Sequence, residues 1–275
     1  MKVKTLGGLM QPTLPHVEVH PVDDAVVVTA AILVGSRQRE IKLSPVAAPP
    51  RRVGMRDAEL VERILHLAAA DVIAERPDGS DEDVHFPQAL ARAVIDSYSS
   101  PGETVLDPFA GWGTTLVVAE KLGRSAVGVE LIPERVAAIK RRVSPSAVVL
   151  EADARNLDSL RLGQIDLCFT SPPYMSAVAH PQNPLTAYST LDGQYDTYLA
   201  ELTEVFLAVS RHLRTGGHLV INAANIRTGE VVTPLAWDIA HALTSHLAFR
   251  GETYLAWDQP SPIFTGDYCL AFQKP

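Results

Sequence analysis

Cysteine is nearly missing from this chain of 275 residues: there are two, Cys168 and Cys269. Two cysteines so placed make no metal-ligand spacing and no disulfide framework, so no metal site is expected and a reducing cytoplasm is the default compartment. Long apolar runs are also lacking. None approaches the ~20 residues that a membrane span requires, and Met1-Lys2-Val3-Lys4-Thr5 has no signal-peptide core behind it. No membrane partner is therefore expected. Positive charge is in short supply too, with a net charge of −8. That argues only mildly against a nucleic-acid partner, because a local basic groove matters more than the total. What the chain has is apolar mass. At 47% hydrophobic and 20% charged residues, it can bury the core of one large domain, with or without a small extension.

Residues 1–52 differ from the rest. Val17 to His20, Ala25 to Val34 and Arg39 to Leu43 are rich in β-branched residues and are broken by Pro21-Val22-Asp23-Asp24 and Gly35-Ser36. This predicts a small antiparallel meander, a β-rich N-terminal extension. Ala47 to Arg52 reads as a linker, and Arg51, Arg52 and Arg56 as a solvated basic cluster. Asp57 caps a predicted helix through Glu59–Leu67, with Leu60, Ile64, Leu67 and Ala68 on one face. Residues 53–84 thus form a helical linker, closed by the acidic, turn-rich Pro77–Asp83. Residues 85–275 are the main domain.

That domain repeats one plan. His85-Phe86-Pro87 leads into a helix from Gln88. Thr104 to Asp107 is a short strand ending in a carboxylate. Pro108-Phe109-Ala110-Gly111-Trp112-Gly113-Thr114-Thr115 follows, and then a helix to Leu122. Strand, glycine-bearing loop and helix make the nucleotide-cradling unit of doubly wound folds. Ala126 to Glu130 is a second strand ending in an acid, spaced from the glycine loop as a ribose-binding acid is. Ala147 to Glu151, followed by Asp153, is a third, and Gln164 to Thr170 a fourth. Polar residues are thus delivered repeatedly to the C-terminal sheet edge, where open α/β sheets bind ligands. Thr197 to Arg211 is an amphipathic helix ended by Gly216-Gly217. His218 to Asn222 is a fifth strand, Leu235 to Leu247 a helix, and Phe249 to Trp257 and Tyr268 to Phe272 an antiparallel pair.

The fourth strand runs into Ser171-Pro172-Pro173-Tyr174. Two prolines fix φ twice and remove two N–H donors, so the turn is stiff. Its Ser171 and Pro172 carbonyls find no partner within the turn. A rigid acceptor pair beside an aromatic face suits a flipped-out nucleobase with an exocyclic amine. By itself the tetrapeptide could equally be an ordinary loop.

Together these residues resemble the S-adenosylmethionine-dependent DNA amino-methyltransferases that act on N4 of cytosine or N6 of adenine. The resemblance covers roughly residues 85–275. It implies an α/β, Rossmann-like class I methyltransferase domain with a mainly parallel seven-stranded sheet flanked by helices. Asp107, Pro108, Phe109, Gly111, Gly113, Thr114 and Thr115 match the family's cofactor loop. Phe86 and Pro87 match the motif that packs on the cofactor's methionine part. Glu130, followed by Leu131, matches the ribose acid, and Asp153, followed by Ala154, the acid that bonds the adenine amino group. Ser171, Pro172, Pro173 and Tyr174 match the catalytic tetrapeptide. The cofactor loop precedes the catalytic motif here, whereas many members with Ser-Pro-Pro-Tyr have the reverse order, so the chain looks circularly permuted relative to them. No large target-recognition domain is visible; residues 1–80 and the loop 175–195 are what is left to read a base sequence.

The implied chemistry is methyl transfer to a flipped base, which depends mainly on positioning. Ser171 Oγ and the Pro172 carbonyl accept the two amine N–H bonds while Tyr174 stacks on the ring. Serine at this place leans towards cytosine N4, although a hydroxyl and a carbonyl can accept from either amine. Cytosine-C5 chemistry would need a reactive thiolate, and Cys168 lies in an apolar run, where a thiol is inert. Double-stranded DNA is the expected substrate, with a companion restriction nuclease left open. The competing readings are an RNA base, a non-catalytic methyltransferase-like subunit, and a protein glutamine amide. A homodimer is left open. Trp112 either walls the pocket or packs. His85 and His180 read as ordinary, Asn222 and Asn225 as speculative edge contacts, and Trp237 and Trp257 as core.

Overall fold

A computed structural model describes residues 64–77, 80, 85–178 and 182–275, and before them the backbone of four strands. The chain divides into two compact units, residues 1–57 and 58–275. The first holds the expected antiparallel meander: β1 (Val17–Val22), β2 (Ala25–Val34) and β3 (Arg37–Lys42) pair in order, and β4 (Val46–Ala47) also pairs with β2. The registers Val22↔Ala25 and Val34↔Arg37 leave two residues at each connection. The arginine cluster 51–56, residues 58–63 and His180 lie outside the described residues.

The second unit begins with a correction. Ile64–Leu67 is a strand, β5, not the end of a helix; it runs parallel to β12 (Ala248–Trp257) with Leu65 opposite Leu255. The helical spacing of Leu60, Ile64 and Leu67 is outweighed by a pairing partner far along the chain, a common fate of local propensity. A short helix, α1 (Ala69–Ala74), follows. Then come α2 (Gln88–Tyr98), β6 (Thr104–Asp107), α3 (Thr114–Lys121), β7 (Ser125–Glu130), α4 (Pro133–Arg142) and β8 (Val148–Glu151). β9 (Ile165–Thr170), α5 (Tyr195–His212), β10 (Leu213–Thr228), β11 (Val231–Thr233), α6 (Leu235–Leu243) and β13 (Phe264–Gln273) complete the unit.

The sheet order is β5-β12-β13-β10-β9-β6-β7-β8, with β11 added on β10, nine strands in all. Seven of them, β12 to β8, form the expected sheet; β5 and β11 extend it. β8, β7, β6, β9 and β10 are parallel, while β13 is antiparallel to both its neighbours. From β6 the chain moves outward to β7 and β8, then returns to lay β9 on the other side of β6. That reversal is the topological switch point, and ligands bind in the crevice it opens at the C-terminal strand ends.

Alternation feeds two cores. Val105, Leu167, Phe169 and Val220 face the layer that holds α2, α3 and Ile139 of α4. Leu106, Cys168 and Ile221 face the layer of α5 and α6, with Tyr198, Leu202 and Phe206. A strand covered on both faces must be apolar throughout, which explains the unbroken run Leu167-Cys168-Phe169. β10 starts at Leu213, not His218; Gly216 and Gly217 form an irregularity within it rather than a break after α5. Trp237 is not core: it is 42% exposed on α6. No helix among the described residues is long and apolar enough to cross a membrane.

Candidate active site

The switch point brings the tips of β6 and β9 together. Leu106 pairs with Cys168, so Asp107 and the residues just past Phe169 are neighbours. Asp107 is fully buried and takes three hydrogen bonds: from Thr115 Oγ1 at 2.7 Å, from the Phe109 N–H at 3.1 Å, and from Thr170 Oγ1 at 2.6 Å. The last bond matters most for placement. Thr170 is the residue before Ser171, so the acid that opens the glycine loop is bonded to the root of the Ser-Pro-Pro-Tyr turn. Burial pushes the Asp107 carboxyl up to about 6, against the lowering effect of the Thr170, Thr115 and Phe109 bonds.

The loop from Pro108 to Gly113 is held open by its glycines. Gly111 and Gly113 have φ of +52° and +84°, and a Cβ on Gly113 would lie 3.0 Å from Ile139 Cγ1. Both conditions favour glycine. Phe109 is half-buried, Pro108, Thr114 and Thr115 are buried, and Trp112 lies between the glycines with the Arg135 guanidinium 5.5 Å from its ring centroid. Glu130, at the tip of β7, accepts from the Gly111 N–H at 2.7 Å and the Ile132 N–H at 2.8 Å. It is thereby fastened to the loop, with Leu131 beside it. Burial raises the Glu130 carboxyl, opposed by those two amides and by Arg135. Each Glu130 oxygen keeps a lone pair for a further donor.

Asp153 follows β8 and caps the 3₁₀ turn that starts at Ala154. It accepts from Arg155, whose Nη2 lies 2.7 Å from Oδ2, and Arg155 also reaches Glu201 on α5. Burial would raise Asp153, but Arg155 outweighs it and holds the carboxyl below its ordinary value. Phe86 packs on Phe169 of β9, ring centroids 5.0 Å apart, and Pro87 precedes α2.

Across the crevice, Pro172 is buried while Ser171, Pro173 and Tyr174 are half-buried. Tyr198 of α5 donates to the Pro173 carbonyl at 2.8 Å. Among the described residues no hydrogen bond reaches the carbonyl oxygen of Ser171 or Pro172. Ser171 Oγ lies 3.4 Å from Tyr174 Oη, which in turn donates to the Asn222 carbonyl at 3.3 Å. Burial pushes the Tyr174 hydroxyl well above its usual range.

Behind the turn is a network that sequence reasoning missed. Asp267 of β13 accepts from Asn222 Nδ2 at 2.8 Å and from Trp257 Nε1 at 2.9 Å. Burial raises its carboxyl against those bonds. An acid within an otherwise apolar terminal strand was the available signal. Asn225 accepts from the Ala236 N–H and so caps the entry to α6 rather than facing a ligand. Cys168 is wholly buried and its thiol is pushed up by burial, as its apolar neighbours predicted.

This arrangement has the class I S-adenosylmethionine-dependent methyltransferase fold. TrmN from Thermus thermophilus superposes with a TM-score of 0.52 at 19% identity, covering 69% of this chain and 49% of that one. Residues 73–141, from within α1 through most of α4, match the N6/N4 methyltransferase family model, described as DNA methylase. Two type II methyltransferases are similar over short stretches. M.SmaI from Serratia marcescens is 48% identical over 58 residues, 21% of this chain and 20% of that protein. M.MthZI from Methanothermobacter thermautotrophicus is 48% identical over 46 residues, 17% of this chain and 13% of that protein. The likeness to these type II methyltransferases is thus distant and partial, and spans a fifth of their length or less.

Proposed function

We propose that the chain is an S-adenosylmethionine-dependent DNA methyltransferase that modifies an exocyclic amino group, N4 of cytosine before N6 of adenine. The Thr170–Asp107 bond carries this reading, because it ties the root of the Ser-Pro-Pro-Tyr turn to the opening of the glycine loop. The loop residues fit the cofactor. The Trp112 indole N–H is buried with no partner among the described residues, and a Cβ on Gly111 would meet nothing closer than 3.9 Å. Asp107, Glu130 and Asp153 supply carboxylates suited to a sulfonium ligand that also carries an ammonium group and ribose hydroxyls. Phe86, Pro87, Phe109 and Leu131 offer apolar walls.

The bound cofactor supplies a methyl group already activated for transfer by its positive sulfur. The remaining work is positioning. Ser171 Oγ and the Pro172 carbonyl accept the two N–H bonds of the target amine. Its nitrogen lone pair is thereby drawn out of conjugation with the ring and aimed across the crevice. Tyr174 stacks on the extruded base, and the two prolines keep the acceptors from relaxing towards water. Serine rather than aspartate or asparagine at position 171 supports cytosine over adenine.

The test is mass spectrometry of nucleosides from a host that expresses the chain, on DNA and RNA separately. N4-methylcytosine in DNA is expected. N6-methyladenine would correct the base, a modified base in RNA alone would correct the polymer, and none at all would defeat the proposal.

A further inference from the structure

The central strand does not stop at the ligand edge. β9 ends at Thr170, paired with Ile221, but β10 continues to Thr228. That extension is roughly 20 Å of chain at the usual strand rise. Its last residues pair with β11, Arg227↔Val232 and Thr228↔Val231, around the two-residue turn Gly229-Glu230. Gly229 has φ +61°, as such a turn requires. The tip is exposed from Arg227 to Val232, with Val231 at 51% and Val232 at 40%. Val232 is paired with Arg227 and shares its face of the ribbon, while Val231 lies on the opposite face, so each side of the slim ribbon presents an exposed apolar side chain.

This ribbon is fastened at both Thr228, beside its turn, and Thr233, at its root, to the segment that follows the turn proposed to hold the target base. Ser176, two residues past Tyr174, bonds Thr228 Oγ1 at 2.8 Å and Thr233 Oγ1 at 3.3 Å. The Ala177 N–H donates to Thr233 Oγ1 at 2.9 Å. A duplex that delivers a base to Ser171 therefore lies against the ribbon. A two-stranded ribbon is slim enough for the major groove of B-DNA, where arginine reads guanine and an apolar side chain reads the thymine methyl.

We infer that the β10–β11 hairpin reads base sequence in the major groove of double-stranded DNA beside the extruded base, through Arg227, Val231 and Val232. This rests on the DNA reading of the site.

The test uses the full chain and two variants, Arg227→Ala and the double variant Val231→Thr/Val232→Thr. The threonines keep the β-branch that suits a strand. Modified positions are mapped across the host genome, rates are measured on duplexes carrying the native site, and S-adenosylmethionine affinity is measured by calorimetry. Unchanged cofactor affinity is expected in both variants. Duplex methylation should fall at least tenfold, and one position of the site should accept more than one base. If both variants keep the native site and rate, the hairpin is not the reader. A native chain that methylates DNA without sequence preference overturns the inference alone; one that leaves DNA unmethylated overturns the functional reading as well.

Discussion

Asp107 is a carboxylate whose immediate partners are two hydroxyls and one amide, with no cationic side chain among the groups that shift it. Its acid group sits at about 6 in the folded chain, against about 3.9 in an unfolded one. The folded state therefore holds the proton more tightly. Its contribution to stability is complete below about pH 4 and is lost as pH rises through 6, the reverse of a salt-bridged aspartate. Two units correspond to about 3 kcal/mol. In urea unfolding of the protein alone, Asp107→Asn should lack the part of the fall between pH 4 and 6.5 that the native chain shows; parallel curves would remove the assignment. A cationic ligand reverses the preference, so S-adenosylmethionine affinity should climb through pH 6 in the native chain and stay flat and weak in the variant. The turn residues behave differently. Ser171→Ala should lower kcat about 100-fold or more, the scale for losing one aligned polar group, with cofactor affinity nearly unchanged. Tyr174→Ala should cost about 1–3 kcal/mol of base binding, seen as a higher KM for DNA. Asp107, Glu130 and Ser171 could be picked out in the sequence because each follows an apolar strand directly. Asp267 was marked only as an acid in an otherwise apolar terminal strand; its partners Asn222 and Trp257 are brought to it by strand pairing, which the sequence does not show.

At the scale of elements, the tips of β6 and β9 are joined by a side chain rather than a ladder. The registered pairs end at Leu106↔Cys168, and Thr170 Oγ1 continues the junction to Asp107. Thr170→Val keeps the shape and the β-branch but removes the donor. A hydrogen bond to a charged group is worth about 1.5–3 kcal/mol, so the melting temperature should drop. The Asp107 carboxyl should also titrate higher still, because a bond that favours its charged form is gone. Thermal melts at pH 5 and 7.5 check both: the deficit should be larger at pH 7.5. An equal deficit at the two pH values would mean the hydroxyl is merely packed. Elements with a clear signal were legible, as the stripe of α5 and the unbroken apolar run of β9 illustrate. β5 was not, because Ile64-Leu65-His66-Leu67 gains its strand identity from β12. The β10–β11 hairpin was passed over, although Gly229-Glu230 before Val231-Val232-Thr233 is a turn followed by β-branched residues. Short strands of that kind read as loop until their neighbour is known.

The molecule as a whole carries a net charge of −8, which weighs against the proposed approach to a polyanion. The total charge gives no long-range help, so the proposed duplex binding would rest on cations placed locally, on apolar contact and on holding a flipped base. The salt dependence of binding is set by how many phosphates are neutralised, with a slope of about −0.9 for each. A chain with a broad basic groove would approach a slope of −10. For this one, a log–log slope between about −2 and −5 is expected, from two to five phosphate contacts. Fluorescence anisotropy of a labelled duplex between 50 and 300 mM salt measures it, at fixed S-adenosylmethionine. A slope near zero would mean that the backbone of the duplex is not followed at all, and would favour a small or single-stranded substrate over double-stranded DNA. A slope as steep as −10 would mean that cations outside the described residues dominate. The basic residues 51, 52 and 56 of the linker would then be the first to replace, and loss of about one slope unit per arginine would locate the contact there rather than at the sheet edge.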